Sequence, residues 1–141
     1  MSTTPRTPYL GTYMIWLLVG VIGCIVVLNA LSLIFGVAVG GGAMAAIPPM
    51  LAAMKVGEKW ARERGVVPPS DQAWRWSIVA AIAALAFEIL ATLLYLGSMG
   101  GPVTWSLAAI LAMGLALFTV VVIFINRYFL VLYAKRVLKV K

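Results

Sequence analysis

Apolar residues gather in four long blocks along this chain, at 12–35, 37–54, 74–96 and 103–125. Each is near the roughly 20 residues that a helix needs to cross the hydrocarbon of a bilayer. The second block is the shortest, opens on "GVAVGGGA" and contains Pro48 and Pro49, so its apolar character alone does not make it a crossing. The charged positions decide the matter. Arg6 precedes the first block; Lys55, Lys59, Arg62, Arg64 and Arg75 lie between or beside the second and third; Arg127, Lys135, Arg136, Lys139 and Lys141 follow the fourth. The links at 36–42 and 97–102 carry no charge. With four crossings every Lys and Arg falls on one side, which the positive-inside rule makes cytoplasmic. With three, both basic clusters would lie outside. The pattern therefore predicts an all-α, polytopic membrane protein of the bacterial inner membrane. Its single bundle, 1–141, has four transmembrane helices as two antiparallel hairpins, both termini cytoplasmic, a basic loop at 55–73 and a basic tail at 126–141.

Local signals refine the borders. "KVGEKWARERG" reads as the second helix continuing past the membrane, with Gly65 as its stop. "VVPPSD" follows as a rigid turn, and Ser70 or Asp71 is placed to cap the third helix. Tyr9, Tyr13, Trp16, Trp60, Trp74, Trp76, Tyr128 and Tyr133 fall near the inner border, Tyr95 and Trp105 near the outer one. Trp and Tyr favour that zone because the ring is apolar while its N–H or O–H stays wet.

Composition narrows the chemistry. Of 141 residues, 64% are hydrophobic and 11% charged, against about 25% charged in an ordinary soluble domain. The chain has no histidine, one cysteine (Cys24) and four acidic residues, Glu58, Glu63, Asp71 and Glu88. No disulfide, Cys-cluster metal site or nucleophile–base pair can be assembled from that inventory, so neither an enzyme nor a cofactor is expected. "VIGC", ending at Cys24, resembles a lipoprotein signal, but the apolar run continues through "IVVLNALSLIF". An uncleaved helix with a buried thiol is the preferred reading over lipidation.

Glu88 stands out because it lies inside the third block. A charged side chain at the bilayer centre costs about 2.5–3.5 kcal/mol on insertion scales, so the protonated form, a donor in need of an acceptor, is expected. Ala81, Ala84, Ala91, Thr92 and Tyr95 share its helix face, a stripe of small and polar groups suited to close helix contact. Asn29 lies at a similar depth, and Pro48 and Pro49 strip helix bonds from the carbonyls of Met44 and Ala45. Glu88, Asn29, Thr92, Tyr95, Pro48 and Pro49 form the candidate intramembrane polar site, in which Glu88 either donates to a freed carbonyl or to Asn29, or marks a proton or substrate path.

Small residues on the fourth block, Ala108, Ala112 and Ala116, read as a packing stripe, and Met44, Met50, Met54 and Met113 as core filler. Lys55, Lys59, Arg62, Arg64, Arg75, Arg127, Lys135, Arg136, Lys139 and Lys141, with Trp60, Trp74 and Trp76, read as the lipid-headgroup interface of an anionic leaflet. Glu58 is spaced to pair with Arg62. No nucleic-acid motif occurs among these cations.

The stretch "AAMKVGEKWARERGVVPPSDQAWRWS" and the basic ending "NRYFLVLYAKR" resemble a family of small four-helix inner-membrane proteins of proteobacteria known by an ABZJ locus tag. The resemblance covers most of the chain in layout and about twenty residues in motif. It implies a four-helix fold in the inner membrane and brings no mechanism. The function expected is that of a non-enzymatic accessory or immunity-type protein that binds a membrane partner or lipid. The alternative is a small oligomeric proton-coupled transporter using Glu88.

Overall fold

The computed structural model describes residues 7–36 and 42–140. Its regular structure is helical throughout: α1 (Leu10–Phe35), α2 (Gly42–Ala45), α3 (Ile47–Arg64), α4 (Ser70–Met99) and α5 (Trp105–Lys139). Three of these, α1, α4 and α5, are long and apolar enough to cross a membrane. Arg6, Gly40, Lys141 and the start of the second apolar block at 37–41 lie outside the described residues.

The second block differs most from expectation. It is not one apolar helix over 37–54: a single turn, α2, ends at Ala45, and α3 starts afresh at Ile47. Pro48 and Pro49 stand in the first turn of α3, where the missing N–H has no intrahelical partner to lose. A proline ring cannot continue the ladder of the turn before it, so the break falls at Ala46. Beyond Met54, α3 carries six charged residues, from Lys55 to Arg64. It ends at Gly65, whose φ of 66° is the left-handed conformation that glycine adopts without strain.

Two further borders move. α4 starts at Ser70, four residues before the third apolar block, and Pro69 is its cap residue, so neither Ser70 nor Asp71 caps it. Ser70 instead accepts a hydrogen bond from Arg127 Nη2 at 3.3 Å. α5 opens on a Thr104 cap that accepts from the Leu107 N–H at 3.3 Å, and it runs on to Lys139. The expected basic tail is thus mostly helix, because "NRYFLVLYAKRVLK" keeps a buried row, Asn126, Leu130 and Ala134, at every fourth position.

The helices close into a ring. α3 packs against both α1 and α5, α5 packs against α4, and α1 meets α4 along a shorter seam. Contact pairs fix the register. Gly20 of α1 sits against Pro48, Trp16 beneath Lys55, and Thr12 beside Lys59, so α1 and α3 are antiparallel. Gly57 lets α3 approach the Leu130 carbonyl of α5 so closely that a Cβ there would collide with it. Trp74 lies edge-on to Phe124 at 5.6 Å while Ser70, one turn earlier, meets Arg127 at 3.3 Å, which sets α4 antiparallel to α5.

Burial is one-sided. The last buried residues toward the apolar end of the bundle are Gly20 on α1, Pro48 on α3, Ala84 on α4 and Val122 on α5. From there α1 and α4 each run on for about 22 Å, and α5 for about 25 Å, with no buried residue among those described. The core lies toward the opposite, basic end. Trp60 and Trp76 belong to it, each 1% exposed, rather than to an interface belt. The polar N–H of Trp76 is satisfied there, donating to the Pro8 carbonyl at 2.9 Å, whereas that of Trp60 is buried with no hydrogen-bond partner among the described residues. Trp105, 92% exposed, and Tyr95 keep the exposure expected of an interface. Ala112, Ala116 and Met113 are exposed too, so beyond the half-buried Ala108 the α5 stripe meets no partner helix among the described residues.

Candidate functional site

Three polar constellations emerge from this packing. The first surrounds Glu88. Its side chain is half-buried and lines a cavity of about 240 Å³ with Val21, Cys24, Ile25, Leu28, Met44, Ala45 and Pro48. The helix break and the glutamate do come together, as the sequence indicated for Glu88 and Pro48. The expected bonds do not form: among the described residues Glu88 makes no hydrogen bond to Asn29, Met44 or Ala45. Asn29 is turned back onto its own helix, where Nδ2 donates to the Ile25 carbonyl at 2.7 Å. On α4 only the near part of the Glu88 stripe faces inward. Ala81 and Ala84 are buried, whereas Ala91 and Tyr95 are exposed and Thr92 is half-exposed. α1 meets α4 only along a short seam, and the far part of α4 carries no buried residue among those described. Pro49 is buried beside Pro48 but does not line the Glu88 cavity.

The second constellation joins distant parts of the sequence. Tyr13 of α1 and Asn126 of α5, both fully buried, form a reciprocal pair. The Tyr13 hydroxyl donates to Asn126 Oδ1 at 3.3 Å, and Asn126 Nδ2 lies 3.1 Å from the same hydroxyl oxygen. Trp76 stands edge-on to the Tyr13 ring at 5.3 Å. The group closes the basic end of the bundle around Leu17, Val122 and Leu130. Sequence reasoning placed Tyr13 and Trp76 at an interface and passed over Asn126, which stands next to Arg127 in "INRY". The signal available was the row Asn126, Leu130 and Ala134 continuing past the apolar block.

The third constellation is cationic. Lys55 bonds Glu58 at 3.2 Å and lies over the Trp16 ring at 5.3 Å. Lys59 donates to Thr12 Oγ1 at 3.3 Å and approaches Glu63 at 3.9 Å. Glu58 thus pairs one turn back with Lys55, not forward with Arg62. Arg64 covers the Trp60 ring at 4.6 Å. Tyr9 takes a left-handed φ of 66°, a conformation that costs a bulky residue of order 1–3 kcal/mol. It is held there by Trp60 edge-on at 5.9 Å and by Lys59 and Arg64 over its face. Burial pushes the Tyr9 phenol above its usual pKa; the Glu63 carboxylate adds to the rise and the Arg64 guanidinium opposes it. Arg62 and Arg136 line a groove of about 570 Å³ between α3 and α5, and Arg127 and Lys135 another of about 450 Å³ along α5. Arg75 is exposed, and Lys139 is the last residue of α5. No cluster of three potential metal ligands occurs among the described residues.

Compared with models of protein families, with curated proteins and with solved structures, the chain matches none. Its function is therefore read from its own residues.

Proposed function

We propose that this chain is a four-crossing protein of the bacterial inner membrane, with both termini in the cytoplasm, that works without catalysis by binding a partner membrane protein or lipid. The basic end of the bundle is then the cytoplasmic end, where Lys and Arg side chains meet anionic headgroups. α2 and the first turns of α3 belong to the second crossing.

One observation carries the binding role. Beyond the half-buried Glu88, the same face of α4 is largely uncovered among the described residues: Ala91 and Tyr95 are exposed and Thr92 is half-exposed. Polar groups inside hydrocarbon are costly unless they meet a partner, and small residues beside them permit close helix approach. A second membrane helix laid along this face supplies both.

The transporter reading is favoured by one feature, the Glu88 cavity against the break at Ala46. Within one chain the basic end is closed by Tyr13, Trp76, Asn126 and Leu130, so a path requires a second copy.

A photoreactive residue at Ala91 tests the proposal in native membranes, with Ile82, exposed on another face of α4, as control. Ala91 is expected to capture one discrete foreign protein and Ile82 only lipid. Lipid adducts alone at both sites would contradict a protein partner on this face. Chain-to-chain adducts at Ala91, with a proton flux in vesicles that Glu88→Gln abolishes, would establish the transporter instead.

A further inference from the structure

A second cavity adjoins the Glu88 cavity, sharing Cys24, Leu28 and Met44 with it. It is a groove of about 460 Å³ between α1 and the α2–α3 segment, and its wall is almost entirely carbon. On α1 it is lined by Trp16, Gly20, Gly23 and Val27, a row at helical spacing; on the facing side by Lys55, Leu51, Ile47 and Met44, a second such row. Gly20 lets α1 close onto Pro48, since a Cβ there would come within 2.9 Å of Pro48 Cα, whereas Gly23 borders open space, a Cβ there meeting nothing within 4 Å.

The two ends of the groove differ chemically. One end is apolar, between Leu28 and Met44. The other carries Lys55, whose ammonium rests over Trp16 and gives one bond to Glu58. An ammonium has three donors, so further donors are left for another acceptor. Lys59, one turn further on, donates to Thr12 on the same seam. From Trp16 to Val27 the groove spans about 16 Å, close to the roughly 15 Å depth of one leaflet's hydrocarbon. Its volume is spread along that length, the shape of an extended acyl chain.

We propose that this groove seats one phospholipid of the cytoplasmic leaflet, its phosphate on Lys55 and one acyl chain along Gly20 and Gly23 toward Met44. The seat rests on the membrane placement proposed above. Phosphate chemistry suits the cationic end, and an unbranched hydrocarbon suits a long apolar channel. Occupancy covers the apolar flank where α1 and α3 diverge, and so steadies the helix break at Ala46.

The full chain in phosphatidylethanolamine–phosphatidylglycerol vesicles tests this. Trace phospholipid carries a photoreactive diazirine either at the acyl-chain end or at the headgroup, and adducts are mapped by peptide mass. The tail probe is expected to label the Leu28 and Met44 region several-fold above the exposed face of α5, and the headgroup probe the Trp16–Lys55 region. Gly23→Leu, which fills open space, is expected to remove the groove adducts. Gly97→Leu, also in open space but on α4, is expected to leave them unchanged. Lys55→Met is expected to lower the yield of both probes in the groove. Even labelling around all helices, or groove adducts that survive both Gly23→Leu and Lys55→Met, would overturn the seat while leaving the placement standing. Groove labelling with the two probes interchanged would overturn the placement instead.

Discussion

Gly57→Ala is expected to destabilise the bundle, although alanine is the better helix former. The added methyl meets the Leu130 carbonyl oxygen and the Ala134 N–H region of α5, which are backbone and cannot rotate away. α3 and α5 must separate along the seam where Val56, Trp60, Leu130 and Ala134 are buried. Overpacking of this kind costs about 1–3 kcal/mol. Gly114→Ala is the matched control. It lies in α5, its Cβ meets nothing within 4 Å, and it gains up to about 1 kcal/mol of helix propensity. Opposite signs for one chemical change are therefore expected when unfolding in mixed micelles is followed by circular dichroism. Equal effects at the two positions would show that α3 does not press on α5.

The Tyr13–Asn126 pair is expected to behave as a unit. Tyr13→Phe leaves the Asn126 amide buried without its hydroxyl partner, and Asn126→Leu leaves that hydroxyl unpaired. Each single change is expected to cost about 1–3 kcal/mol, because desolvation of the orphaned group is no longer offset. The double variant removes both polar groups and is expected to be more stable than the sum of the singles by about 0.5–3 kcal/mol. Strict additivity would mean that the two side chains do not meet. The pair also fixes the register of the first and last long helices, so loss of either partner is expected to loosen the closed end near Trp76.

Much of the architecture was legible in the chain because it is set locally. The apolar blocks specify helices wherever they are long, Gly65 supplies a left-handed stop, and Pro48–Pro49 interrupts the second block. What composition could not reveal is pairing across the sequence. Trp60 and Trp76 carry the same N–H and apolar ring whether they face headgroups or a core. Only Pro8, brought under α4, makes the interior the better place for Trp76. Asn126 read as part of a basic ending, since its partner is 113 residues away. α5 runs past its apolar block because Leu130 and Ala134 meet α3 at Gly57, a contact that neither segment announces alone. Glu88 was recognisable as an anomaly from its neighbours. Its surroundings depend on where α3 begins, which is a tertiary fact.

The placement of the chain in the membrane is tested most directly by single cysteines at Thr7, Val66, Val103 and Val140 in a Cys24→Ala background. Labelling uses a maleimide that cannot cross the inner membrane of intact spheroplasts. With four crossings, Val103 is labelled from outside, while Thr7, Val66 and Val140 react only after the membrane is opened. If α2 and α3 did not complete a crossing, Val66 and Val140 would be labelled from outside and Val103 would be protected. That pattern would contradict the proposed topology, and with it the cytoplasmic assignment of the Lys55 end of the groove.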